Sequence, residues 1–95
     1  MMLRFEWDEQ KNRVNRKKHG VWFEEAQQVF DDPRAIEYFD KDSSDHEDRF
    51  IMLGVSSSLR VLVVIFCERD KSNVIRIISA RKATKKELRQ YEKGI

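Results

Sequence analysis

Residues 59–81 read L-R-V-L-V-V-I-F-C-E-R-D-K-S-N-V-I-R-I-I-S-A-R. Two runs rich in β-branched residues flank the polar stretch Glu68–Asn73, the pattern of two strands joined by a turn. In the first, Leu59, Val61, Val63, Ile65 and Cys67 line one face and Leu62, Val64 and Phe66 the other. Both faces are apolar, so this strand is expected to be covered on both sides. In the second, Val74 to Arg81, alternation puts Ile75, Ile77, Ser79 and Arg81 on one face and Val74 and Arg76 on the other. Two further strand-like runs lie upstream, Ala35–Asp40 and Arg49–Val55. The polar loop Asp40–Asp48 joins them, and Gly54 and Ser56-Ser57-Ser58 close the second. Short turns between successive strands favour antiparallel pairing.

Helices flank this block. Asp8 suits an N-cap and Glu9 a first turn. The helix they open runs to Lys18 or His19, gathers cations toward its end and stops at Gly20. Phe23, Ala26, Gln27 and Phe30 recur at i, i+3, i+4 and i+7 and predict a second helix over 23–30, ended by Asp31-Asp32-Pro33. Thr84-Lys85-Lys86-Glu87 is a capping box opening a third, with Leu88 and Tyr91 as apolar anchors. Phe5-Glu6-Trp7 reads as a short strand or a lead-in. The expected fold is α+β: two N-terminal helices, a four-stranded, mostly antiparallel sheet and a C-terminal helix, with residues 1–95 forming a single domain.

Ninety-five residues leave no room for a cofactor domain beside a substrate domain, which excludes a dinucleotide-binding fold and an α/β barrel. The longest apolar run, Val61–Cys67, is far short of a membrane span. With no apolar signal core at the N-terminus and a single cysteine, the expected compartment is the cytoplasm. The net charge of +2 conceals a division: residues 1–23 carry +3, residues 24–48 carry −8 and residues 49–95 carry +7. Such a chain could bind a polyanion with its two outer segments, or neutralise its own charges once folded.

Familiar catalytic constellations are missing. One cysteine and two histidines, His19 and His46, give no zinc spacing, and the acids Asp40, Asp42, Asp45, Glu47 and Asp48 resemble a calcium loop in composition only. Glycines at 20, 54 and 94 build no phosphate loop, and no G-x-S-x-G occurs. Cys67, mid-strand, reads as a buried structural thiol. No metal or cofactor is expected. What remains is a set of cations on ordered elements. Metal-free RNA cleavage needs a base for the 2′-hydroxyl, an acid for the 5′-oxygen and cations for the phosphorane. Histidine, glutamate, lysine and arginine can supply all three. The alternative is that the arginines merely pair with nearby acids.

Two stretches carry a resemblance. Residues 5–26 follow W-D-x-x-K-x-x-x-N-x-x-K-H-G-x-x-F-x-x-A from Trp7, and residues 77–83 read I-I-S-A-R-K-A. Glu47-Asp48-Arg49-Phe50, Gly54 and Arg60–Val64 lie between. The chain resembles the BrnT family of toxins from bacterial type II toxin–antitoxin operons, over nearly its whole length. The resemblance implies a RelE-like fold and an endoribonuclease that inhibits translation. It also implies a BrnA-like ribbon-helix-helix antitoxin, through which alone the complex meets operator DNA, and RNA as substrate, with no membrane partner. One departure is Trp22, where the family often has a Ser or Asp to cap the second helix.

Placed on this chain, the catalytic candidates are Lys18, His19, Glu47, Arg49, Arg69 and Arg81, and the RNA-binding candidates are Lys11, Lys82, Lys85, Lys86 and Tyr91. Arg81 and Arg69 would hold the phosphate and His19 or Lys18 would move protons. His46 is the weaker histidine, since surrounding acids would keep it charged. Several alternatives stay open. Lys18-His19-Gly20 also makes an ordinary helix end, and Glu47 or Asp48 is either a base or merely a partner of Arg49. The lysines of 82–86 serve a solvated face or an RNA backbone, and Tyr91 packs or stacks. The rival class is a non-catalytic module that binds nucleic acid or docks the antitoxin.

Overall fold

Five strands, not four, form the sheet of the computed structural model, which describes residues 3–43, 47–71 and 73–94. The chain order is β1 (Arg4–Glu6), α1 (Glu9–His19), α2 (Phe23–Ala26), a 3-10 helix (Gln27–Asp31), β2 (Ile36–Phe39), a 3-10 turn (Lys41–Ser43), β3 (Phe50–Val55), β4 (Val61–Arg69), β5 (Val74–Lys82) and α3 (Lys85–Lys93). Across the sheet the order is β1-β5-β4-β3-β2. β2 through β5 pair antiparallel, while β1 joins β5 in parallel, making the sheet mixed. The extra strand is the Phe5 lead-in. Three residues are too few to show an alternation, and Phe5 earns its place by stacking edge-on against Phe30.

The inner face of the sheet is the core. Leu62, Val64 and Phe66 of β4 and Ile75, Ile77 and Ala80 of β5 pack against Val21, Phe23, Ala26 and Val29. The predicted second helix is only one α turn that tightens into 3-10 geometry before Pro33. Trp22 occupies its N-cap with no side-chain bond, as its departure from the family pattern suggests. The orphan N–H of Phe23 goes instead to the side-chain oxygen of Asn12 at 2.7 Å, so α1 caps α2 from the side. Gly54, on the inner face of β3, lets the 3-10 helix close in. A Cβ there would meet those of Ala35 and Val29 at 3.1 and 3.2 Å.

Asn15 performs a second substitution. Beyond the end of β1 the edge of β5 is open, and the Asn15 carboxamide closes it. It accepts from Ala80 N–H (3.1 Å) and donates to the carbonyls of Ala80 and Val21 (both 2.9 Å). A side-chain amide thus pairs with a strand as a neighbouring strand would, and fixes α1 along that edge.

Candidate functional site

A bulge in β5 decides which residues share the outer face. Ile65 pairs with Ser79 but Phe66 pairs with Ile77, so Ile78 is an extra residue. The inward series is therefore Ile75, Ile77, Ala80, and the outward series is Val74, Arg76, Ser79, Arg81. This overturns the simple alternation: Arg81 and Ser79 part from Ile75 and Ile77 and join Arg76.

Arg81 is held in a fixed pose. Its Nη1 and Nη2 donate to the two carboxylate oxygens of Glu87 at 2.7 and 2.9 Å, and Nη1 also reaches the Lys82 carbonyl at 3.3 Å. Glu87 is the capping-box residue predicted for α3: Thr84 Oγ1 accepts from its N–H, while its Oε1 accepts from Thr84 N–H at 2.8 Å. One carboxylate therefore caps the helix and clamps the arginine. The Arg81 guanidinium, then the backbone N–H of Thr84, hold Glu87 down at about 2. Even so, the arginine is not used up. Of its five donors the pair and the Lys82 carbonyl use three. Among the described residues nothing accepts from the two left, on Nε and Nη2, which lie parallel along one edge of the plane, and the side chain is 43% exposed. That edge suits a phosphate.

Beside it a cleft of about 670 Å³ opens between α3 and the outer face of β2 and β3. Ile36, Tyr38 and Leu53 form its apolar floor; Lys86, Arg89 and Lys93, spaced to share one face of α3, form its cationic rim. Tyr91, expected to pack or stack, packs. Its hydroxyl donates to Asp32 at 2.5 Å, and Asp32 also accepts from Val55 N–H, which ties α3 to the sheet. Burial and the Asp32 carboxylate raise the Tyr91 hydroxyl above its ordinary value. The aromatic side chain that faces the cleft is Tyr38, and it too is raised, by burial and then by the Glu87 charge.

The family model described as the ribonuclease toxin BrnT of type II toxin–antitoxin systems matches residues 7–87. The chain belongs to the BrnT family. The crystal structure of the Brucella abortus ribonuclease toxin BrnT, at 1.1 Å resolution, is similar to it with a TM-score of 0.65 and 26% identity. The likeness covers 88% of this chain and 100% of that one. No curated protein matches. Membership in this BrnT family makes RNA the target and an antitoxin the partner.

The remaining candidates do not gather in one place. Arg69, at the end of β4, pairs with Glu47 at 3.5 Å and flanks a shallow hollow of about 330 Å³ that also involves Asp48 and Lys71. Val63, the partner of Arg81, is six residues from Arg69 along β4. At about 3.3 Å per residue the two arginines are about 20 Å apart, too far to share a phosphate. Glu47 thus partners Arg69, and Arg49 opens β3 toward the same end. Lys18 and His19 are exposed in the last turn of α1. That turn lies at the Arg81 end of β5, since Asn15 binds Ala80 and the Gly20 carbonyl accepts from Arg60 just before β4. Lys11 is exposed in the first turn of α1, at the far end of that helix. Lys82 and Lys85 are exposed around the strand-to-helix corner, and Lys86 alone of that group lines the cleft. His46 and Asp45 lie outside the described residues. Sequence reasoning missed Tyr38 and the second task of Glu87. Cys67 is buried as expected, and among the described residues no helix is long and apolar enough to cross a membrane.

Proposed function

We propose that the chain is a metal-independent endoribonuclease whose chemistry takes place at the Arg81 end of the outer sheet face. The observation that carries this is the open Nε/Nη2 edge of an arginine already fixed by Glu87. A guanidinium immobilised before substrate arrives needs little reorganisation as charge builds on the phosphorane. Its two free donors grip the phosphate oxygens. Glu87 touches no RNA in this reading and is a positioning residue. Held at about 2, it is too weak a base to take the 2′-hydroxyl proton.

Proton transfer falls to His19, with Lys18 beside it, because α1 ends next to the Arg81 end of β5. The 2′-oxygen attacks phosphorus, its proton passing to the base, and the 5′-oxygen leaves with a proton from the acid. The product is a 2′,3′-cyclic phosphate, later a 3′-phosphate. Cleavage of translated RNA arrests protein synthesis. A BrnA-like ribbon-helix-helix antitoxin silences the enzyme by covering the outer face, and through it the complex meets operator DNA. Residues 1–95 act in this as one toxin domain.

The test is incubation of purified protein with RNA in EDTA, followed by analysis of product ends. Full activity with cyclic or 3′-phosphate ends is expected. Activity restored only by Mg²⁺, or 5′-phosphate ends, would overturn the mechanism.

A further inference from the structure

We propose that the cleft between α3 and β2 receives an unstacked nucleobase of single-stranded RNA against Tyr38, and so selects unpaired over duplex RNA. This deepens the proposed ribonuclease reading and rests on it for the identity of the polymer. The cleft has the size of a ligand site, roughly 300–1,000 Å³, rather than of a packing defect. Its chemistry is divided as a nucleotide is. Tyr38, 40% exposed, presents a ring above the aliphatic floor of Ile36 and Leu53. Lys86, Arg89 and Lys93 stand over that floor, and none of the residues lining the cleft is acidic. The Gln90 amide lies among them and offers one donor group and one acceptor to a base edge.

Charge complementarity therefore favours a polyanion, and the aromatic floor favours one whose flat apolar parts are exposed. A duplex hides its bases, so only its phosphates could engage, whereas a single strand can splay one out. The position also fits the chemistry. Ile36, Leu53, Val63 and Arg81 lie in line across the sheet. Two strand spacings separate Leu53 from Arg81 and three separate Ile36 from it, about 10 and 14 Å. A base seated on Tyr38 thus lies within a few nucleotides of a phosphate on Arg81, on the same face.

The probes are short 2′-O-methyl oligoribonucleotides, which cannot undergo 2′-oxygen attack, each with 2-aminopurine at a different position. Fluorescence should be quenched severalfold when the fluorophore occupies one particular position, and not when the same strands are annealed to their complements. Tyr38→Phe should keep the quenching. Tyr38→Leu should abolish it and weaken binding about tenfold or more, the scale of one base–aromatic stack. Arg89→Gln should weaken binding yet keep the quenching. The proposal is overturned if no position is quenched with the unaltered protein, if duplex binds as tightly as single strand, or if Tyr38→Leu binds and quenches normally. It is also overturned if Tyr38→Leu loses the antitoxin but not RNA, since the cleft would then be a protein-docking surface. Cleavage of an all-ribose strand is followed in parallel. Quenching without cleavage would refute the ribonuclease chemistry and leave the cleft standing; cleavage without quenching would do the reverse.

Discussion

Replacing Glu87 with Gln separates its two tasks. Glutamine keeps the length of the side chain and one carbonyl oxygen, so the bond from Thr84 N–H can persist. It loses the charge and the second acceptor, so the parallel bonds to Arg81 at 2.7 and 2.9 Å cannot. The pair is only partly shielded, with side-chain exposures of 43% for Arg81 and 18% for Glu87. The loss should lie between an exposed ion pair and a buried charged hydrogen bond, about 1–2 kcal/mol. For a domain of this size that lowers Tm by roughly 4–8 °C for each kcal/mol. The pH dependence has a definite sign. Glu87 is depressed from an ordinary 4.5 to about 2 in the folded chain. Its stabilisation is therefore complete above 4.5 and fades as the pH falls through 2. Urea unfolding at fixed pH should show a constant gap between wild type and Glu87→Gln from neutral pH down to pH 5, narrowing below 4.5. The variant should also cut RNA about tenfold more slowly at equal folded concentration, mainly through kcat, because Arg81 is no longer held. A gap absent at neutral pH, or as wide at pH 2 as at pH 6, would refute the clamp.

Three further outcomes are expected. Thr84→Ala removes the N-cap hydroxyl and should cost about 1 kcal/mol in urea unfolding, while the folded fraction cuts RNA at the normal rate. Asn15→Leu leaves the polar groups of Ala80 and the Val21 carbonyl without their partner in a buried setting, and should cost about 3 kcal/mol or more; an equal melt would refute the edge-closing role. Binding of single-stranded RNA should fall with salt with a log–log slope near −3 if Arg81, Lys86, Arg89 and Lys93 each neutralise one phosphate, and each charge-removing substitution should flatten it by about 0.7.

Local chemistry made the helices legible. Asp8 and Gly20 bracket α1 as read, with Gly20 at φ 72°, and Thr84 and Glu87 start α3. The apolar runs located β3, β4 and β5 to within a residue or two. What escaped were features whose cause lies elsewhere in the chain. The short strand at Phe5-Glu6 was open as a reading, but its place in the sheet was not, because the free edge of β5 and the Phe30 ring it meets are not visible in Arg4-Phe5-Glu6 itself. The β5 bulge leaves only the doublet Ile77-Ile78 as a trace, and missing it put Arg81 on the wrong face. Glu87 was visible as a cap, but its bond to an arginine six residues back depends on the angle between β5 and α3. Tyr38 sits on a four-residue strand that shows no decisive pattern. The candidate cations were found by type and by resemblance. Only the register along β4 separates Arg69 and Glu47 from Arg81, and that separation is a property of the fold.

The most direct test of the account is the single-turnover rate of RNA cleavage in EDTA by wild type, Arg81→Lys and Arg81→Ala, at equal folded concentration. Removing a donor that acts on the transition state typically costs on the order of 100-fold or more. Arg81→Ala should fall by at least that factor, and Arg81→Lys should recover only part of it, because lysine lacks the planar fork. Arg81→Ala should also be less stable, since Glu87 loses its partner, which is why the comparison is made on folded protein. If the folded Arg81→Ala protein cuts RNA at the wild-type rate, Arg81 is a structural partner of Glu87 alone and the site lies elsewhere on the molecule.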